Sequence, residues 1–220
     1  MKAVLFDLGG TLIKTASVPE IYRRILAVHG IKVKMQHDQS AFEDLWAQMT
    51  PNDFKLPFEE FWRIYNTKTL RMIGISRNLD ELAYAVSDEW WDHADLELYP
   101  DVKEAFNALR KKKLKIGLVT NGFRKDMEDI FVRTGLSGQF DVTVGIDDVG
   151  KPKPEKEIFL YALKKLGVQP DQALFVGDNP QLDYEGAQAV GMKPLLIDRD
   201  NMAFGPYDKI RDLTEILNYI

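Results

Sequence analysis

Four short segments hold the residues that could do chemistry: Asp7-Leu8-Gly9-Gly10-Thr11, Val119-Thr120-Asn121-Gly122, Lys151-Pro152-Lys153-Pro154 and Gly177-Asp178-Asn179-Pro180-Gln181-Leu182-Asp183. They supply a carboxylate nucleophile, small polar donors, a fixed cation and an acidic pair. That set suits covalent chemistry on an anionic substrate with a divalent metal. Each segment closes an apolar run or lies on the loop beyond one.

The apolar runs read as short buried strands: Ala3–Phe6, Ile116–Val119, Val142–Val144, Ala173–Val176 and Pro194–Ile197. Continuous rather than alternating runs suit a parallel sheet covered on both faces. Helical patterns lie between them, over Val102–Lys112 beside the start signal Pro100-Asp101 and over Pro154–Leu166 before the stop signal Gly167. Alternating strand and helix predicts a doubly wound α/β core. In such a sheet ligands bind beyond the carboxyl ends of the strands, so the four segments are expected to meet along one edge.

Residues 15–97 break this rhythm. Helical patterns over Pro19–His29, Ala41–Met49, Pro57–Ile73 and Leu79–His93 dominate, and all four tryptophans (Trp46, Trp62, Trp90, Trp91) fall there. The expected organisation is therefore a core of residues 1–14 and 98–220 with an all-helical insert, 15–97. Lys14–Glu20 and Asp95–Tyr99 are the expected hinges. Phe58, Phe61, Trp62 and Tyr65 are spaced three and four apart, which predicts packing between helices of the insert.

The 220 residues carry 29 Lys and Arg against 34 Asp and Glu, a net charge of −5, which argues against a nucleic-acid scaffold. The one dense basic stretch, Arg110 to Lys115, reads as a solvated helix end. With no cysteine, disulfides and thiolate chemistry are excluded. No signal pattern and no apolar run of about 20 residues is present, so a cytoplasmic protein without membrane contact is expected.

In motif order and spacing, and in the text from Gly177-Asp178 to Asp183 followed by Gly186-Ala187 and Gly191-Met192, the chain resembles the haloacid dehalogenase-like hydrolase superfamily. The resemblance covers the core, and the insert is similar to that superfamily's helical cap. It implies a magnesium-dependent (Mg2+) phosphatase acting on a small phosphorylated substrate. Asp7 would attack the phosphoryl group, and Thr120 with the N–H groups of Asn121 and Gly122 would hold its oxygens. Lys151, which precedes the first proline as in the family pattern, would neutralise charge; Lys153 is its rival. Asp178, Asp7 and the carbonyl of Gly9 would bind the metal. Asp183, Asn179 and Thr11 would support these groups. The cap would exclude water, as lids do.

One position departs from the pattern. The superfamily's phosphatases carry a second Asp two residues after the nucleophile, as general acid and base; here it is Gly9. Such a group contributes about 10² to 10⁴ in rate. Three readings follow: a phosphatase for substrates with good leaving groups or with another proton source, a 2-haloacid dehalogenase using Asp7 on carbon, or a non-catalytic binder of phospholigands or proteins. The dehalogenase branch generally lacks an acid at the Asp178 position and has an aromatic residue where Gly9 stands, so Gly177-Asp178 favours the metal-dependent phosphatase. The three histidines, His29, His37 and His93, all lie in the insert and read as surface or helix-end residues.

Overall fold

The computed structural model describes residues 1–34 and 36–220. The chain divides into two compact units, Met1–Lys14 with Glu97–Ile220, and Thr15–Leu96.

The first unit is built on eight strands: β1 (Ala3–Phe6), β2 (Ile13–Lys14), β3 (Glu97–Leu98), β4 (Lys115–Val119), β5 (Val142–Val144), β6 (Ala173–Gly177), β7 (Lys193–Ile197) and β8 (Lys209–Ile210). Six of them form one parallel sheet in the order β5-β4-β1-β6-β7-β8, with Phe6 level with Leu118 on one side and Val176 on the other. Every residue of β1 is fully buried, which explains why its run lacks alternation. The chain builds outward from β1 through β4 to β5, then returns to β1's other side with β6. The carboxyl end of β1 is thus the point where the strand order reverses, where an open sheet opens a crevice.

Helices complete the set in chain order: α1 (Val18–Val28), α2 (Gln39–Ala47), α3 (Phe58–Met72), α4 (Leu79–His93), α5 (Val102–Lys111), α6 (Arg124–Thr134), α7 (Ile146–Val149), α8 (Lys156–Leu166) and α9 (Gly186–Ala189). α8 buries Ile158, Phe159, Ala162, Leu163 and Leu166, and Phe159 meets Phe175 of β6 edge-on at 5.1 Å. Burying each large side chain contributes about 2 kcal/mol, so this stripe anchors the helix to the sheet. α5 buries Val102, Ala105, Phe106 and Leu109, with Arg110 to Lys113 exposed at its end. Asp101 precedes α5 but does not cap it. Its carboxylate instead accepts from both Nη atoms of Arg199, at 2.9 and 3.2 Å, and from Leu213 N–H. Arg199 also donates to Thr11 O at 2.7 Å and lies 3.6 Å from the Tyr99 ring centre.

The second unit is helical. α1 to α4 enclose Ile21, Tyr22, Ile25, Leu26, Phe42, Leu70, Leu82, Ala83 and Val86. Trp46 sits among Phe54, Phe61, Trp62 and Tyr65 at 5.5–6.1 Å. The histidines serve this unit: His29 meets Glu89 at 2.7 Å, His93 lies 3.6 Å from the same carboxylate, and His37 meets Met72 O. The segments expected to be hinges mix regular structure with irregular stretches at residues 15–17 and 95–96. Lys14 pairs antiparallel with Glu97 in the β2–β3 ribbon, and α1 begins at Val18. Among the described residues no helix is long and apolar enough to cross a membrane.

Candidate active site

Asp7 is the first residue beyond β1, and its N–H continues the ladder to Val176 O at 2.9 Å. It is almost wholly buried. The cation that reaches it is Lys153, not Lys151. Lys153 Nζ donates to Asp7 Oδ1 at 2.5 Å and to Asp183 Oδ1 at 2.6 Å, with 4% of the residue exposed. Lys151 was expected there and is corrected: it lies two residues further from α8, partly exposed, and its ammonium pairs with Glu157 at 2.5 Å.

Two glycines make the close packing possible. Gly10 has φ +72°, and a Cβ there would stand 2.2 Å from Asp178 Oδ2. A Cβ on Gly177 would stand 2.3 Å from Asp183 Cγ. Asp183 is held by the turn that follows β6: its Oδ2 accepts from Asn179 N–H, while Asn179 Oδ1 accepts from the N–H groups of Gln181 and Leu182. Thr11 is fully buried, and its hydroxyl has no partner among the described residues.

Beyond β4, Thr120 is nearly buried. Its Oγ1 accepts from Gly122 N–H at 3.1 Å, so that N–H, expected to face an oxyanion, is already engaged in the turn. The Asn121 side chain, unremarked in the sequence, turns to residue 153: Oδ1 accepts from Lys153 N–H at 2.7 Å and Nδ2 donates to Lys153 O at 3.2 Å.

The electrostatics are lopsided. Oxygens of Asp7, Asp178 and Asp183 lie within 4.8 Å of one another, and one ammonium stands among them. Burial raises the Asp7 carboxyl to about 6 against the opposing pull of Lys153, with Asp183 pushing the same way as burial. Asp178 presents surface to solvent, yet loss of water around its carboxylate, then the charges of Asp7 and Asp183, raise it to about 7. Burial alone would lower the Lys153 ammonium, but Asp183 and Asp7 outweigh it and hold it above its ordinary value. Fully ionised, three carboxylates against one ammonium would carry two negative charges in a confined space; the raised Asp7 and Asp178 report that strain, which a hard divalent cation relieves. The donor set, oxygen only and crowded around Asp7 and Asp178, fits magnesium.

Gly9 is exposed, and a Cβ there would meet nothing within 4 Å. The position that lacks a proton donor is therefore open space, not a filled one.

Comparisons with known proteins agree with this geometry. The family description "haloacid dehalogenase-like hydrolase" matches residues 1–191. The chain is 30% identical to a glyceraldehyde 3-phosphate phosphatase of Methanopyrus kandleri, over 90% of this chain and 84% of that protein. It is 26% identical to a (S)-2-haloacid dehalogenase of Pseudomonas fluorescens, over 100% and 96%. A crystal structure of a HAD phosphatase from Thermococcus onnurineus superposes with a TM-score of 0.67 at 28% identity, covering 100% of this chain and 97% of that one. With its parallel sheet, its helical second unit and an acidic centre at the end of the first strand, the chain belongs to the haloacid dehalogenase-like hydrolases.

Proposed function

We propose that this hydrolase is a magnesium-dependent phosphatase for small phosphorylated metabolites, with Asp7 as nucleophile. The observation that carries the reading is the excess negative charge around Asp7, which Asp178 creates and Lys153 only partly offsets. A carboxylate substrate would gain nothing from that excess. A phosphate brought in with a divalent cation would.

Asp7 and Asp178, with the carbonyl of Gly9, would hold the cation. Bound there, it neutralises charge on the phosphoryl group and supplies most of what phosphoryl transfer asks of a protein. The chain's own groups do the rest. A carboxylate oxygen of Asp7 bonds to phosphorus as the bond to the leaving oxygen breaks, giving an aspartyl-phosphate. Water then attacks phosphorus, and Asp7 leaves as carboxylate with inorganic phosphate as product. The Lys153 ammonium, fixed between Asp7 and Asp183, orients Asp7 and stabilises charge on the transferring oxygens. Thr120 donates its hydroxyl proton to one of those oxygens. Asp183 and Asn179 keep Lys153 and the turn in place.

The empty position at Gly9 shapes the substrate range. With no proton donor there, substrates whose leaving groups are already weak bases react best. The same feature favours one second reading, 2-haloacid dehalogenation, because a departing halide needs no proton. The retained Asp178 weighs against it.

The test is phosphate release from p-nitrophenyl phosphate with and without magnesium. Activity that disappears in EDTA, returns with magnesium and is absent from Asp7→Asn supports the phosphatase. Turnover that survives EDTA, or halide release from 2-haloacids without metal, overturns it.

A further inference from the structure

We propose that Asn121 is a positioning residue acting through Lys153: its carboxamide grips the backbone of residue 153 on both sides and selects that lysine, rather than Lys151, as the ammonium beside Asp7. This rests on the reading of Asp7 and Lys153 given above and adds to it the device that sets the cation.

A lysine side chain is long and flexible, and holding its ammonium at one point costs most of its rotamer freedom. Placing Nζ within hydrogen-bond reach of two carboxylates therefore needs a fixed main chain beneath it. The main chain turns at Lys153, with Glu155 N–H donating to Pro152 O at 2.9 Å, but that bond leaves the N–H and C=O of Lys153 itself to other partners. Its neighbours Pro152 and Pro154 have no N–H, so no ladder of regular hydrogen bonds can run through the segment. The N–H of Lys153 is the only one in this tripeptide, and Asn121 Oδ1 takes it at 2.7 Å. Nδ2 of the same side chain returns a bond to Lys153 O at 3.2 Å.

A carboxamide is suited to this grip because it carries an acceptor and a donor on two separate atoms; a carboxylate has no donor, and a hydroxyl has both on a single atom. Lys151 shares the Lys-Pro sequence but not the grip, and its side chain pairs with Glu157. Asn121 also follows Thr120 directly, so one short loop presents the Thr120 hydroxyl and sets the lysine.

The first measurement is amine acetylation mapped by mass spectrometry, which needs no turnover. In the wild type Lys151 should label readily and Lys153 should be protected at least about tenfold, as its burial requires. Asn121→Ala should remove that protection while leaving other lysines unchanged, and Asn121→Asp, which keeps the acceptor and loses the donor, should fall between. Full protection of Lys153 in Asn121→Ala, in protein that melts as the wild type does, overturns the proposal.

The second measurement is a double-mutant cycle with Lys153→Met, read as kcat and KM on p-nitrophenyl phosphate and as Kd for inorganic phosphate with magnesium. Asn121→Ala should lower kcat on the order of 10²-fold with KM changed less than about threefold. In the Lys153→Met background it should change the phosphate Kd less than about threefold. Equal losses in both backgrounds would mean that Asn121 acts independently of Lys153, and would overturn the proposal. A wild type that neither turns over nor binds phosphate sinks the phosphatase reading instead, while the labelling still decides the grip.

Discussion

Each unit buries a polar cluster, and the two are built on opposite terms. In the helical unit Tyr22 OH donates to Asn66 Oδ1 at 2.6 Å, Asn66 Nδ2 donates to Ser87 Oγ and Ala83 O, and Ser87 Oγ donates to Ala83 O. Every member is neutral and partnered, so the cluster stabilises and specifies packing. At the end of β1 three carboxylates share one ammonium, and two of them are held well above their ordinary range. The first cluster is complete within the protein. The second carries excess negative charge that a cation from outside would balance, which is the observation behind the proposed active site.

The contrast breaks most sharply at Lys153. Lys153→Met should lower kcat/KM for p-nitrophenyl phosphate by about 10³-fold or more, because the charge at the transferring group and the orientation of Asp7 are lost together. Steady-state kinetics checks it; a loss below tenfold would return the role to Lys151. Next in size is Gly9→Asp, which the open space at that position accommodates. It should raise turnover of alkyl phosphates by up to about 10²-fold and aryl phosphates far less, read from rates across a leaving-group series. A uniform change would mean that the missing acid has been misjudged.

The metal-free site should also cost stability in a pH-dependent way. Asp7 has a folded pKa near 6, above its unfolded 3.8, so its contribution is present at low pH and is lost as pH rises through 6. Between pH 5 and pH 8 in EDTA this amounts to about 1–2 kcal/mol, and Asp178 acts in the same direction. Thermal melts should show Tm falling over that window, with magnesium restoring it. A flat profile in EDTA would remove the charge argument. The helical cluster offers the control: Asn66→Ala should lower stability by about 2 kcal/mol at every pH in the window, because the buried Tyr22 hydroxyl loses its acceptor. Urea unfolding at two pH values measures it. The smallest expected effect is at Lys151, where Lys151→Met should change kcat/KM less than about threefold, since its ion pair with Glu157 is exposed.

Much of this arrangement is readable in the chain. β1 runs over the expected residues because burial on both faces leaves a continuous apolar run, and β5, a half-buried edge strand, also matches its expected span through its two valines. The burial stripes of α5 and α8 match the spacing of their apolar side chains, although α8 starts at Lys156 rather than Pro154. What stayed hidden depends on through-space partners. α6 has a charged sequence with only Met127 and Ile130 buried, too thin a stripe to announce a helix. β2, β3 and β8 are two residues each, shorter than any period. Asp101 reads as a cap but is taken by Arg199 and Leu213, which lie about a hundred residues away. Lys151 and Lys153 each precede a proline, and only the reach of Asn121 across the site distinguishes them.

The register of β1 has a consequence for how the protein is made. Ala3 pairs with Lys115 and Ala173, so the central strand leaves the ribosome before either partner strand and waits about a hundred residues or more for them. The helical unit's core is closed by Ala94, before either partner has been synthesised. Its contacts are short in sequence and form quickly, whereas those of β1 pay for closing long loops. During that interval the strand that ends at Asp7 is an unpaired apolar segment, the kind that chaperones bind and that seeds aggregation. The β2–β3 ribbon, pairing Ile13 with Leu98, brings the two sides of the insertion together and shortens the remaining search for β4.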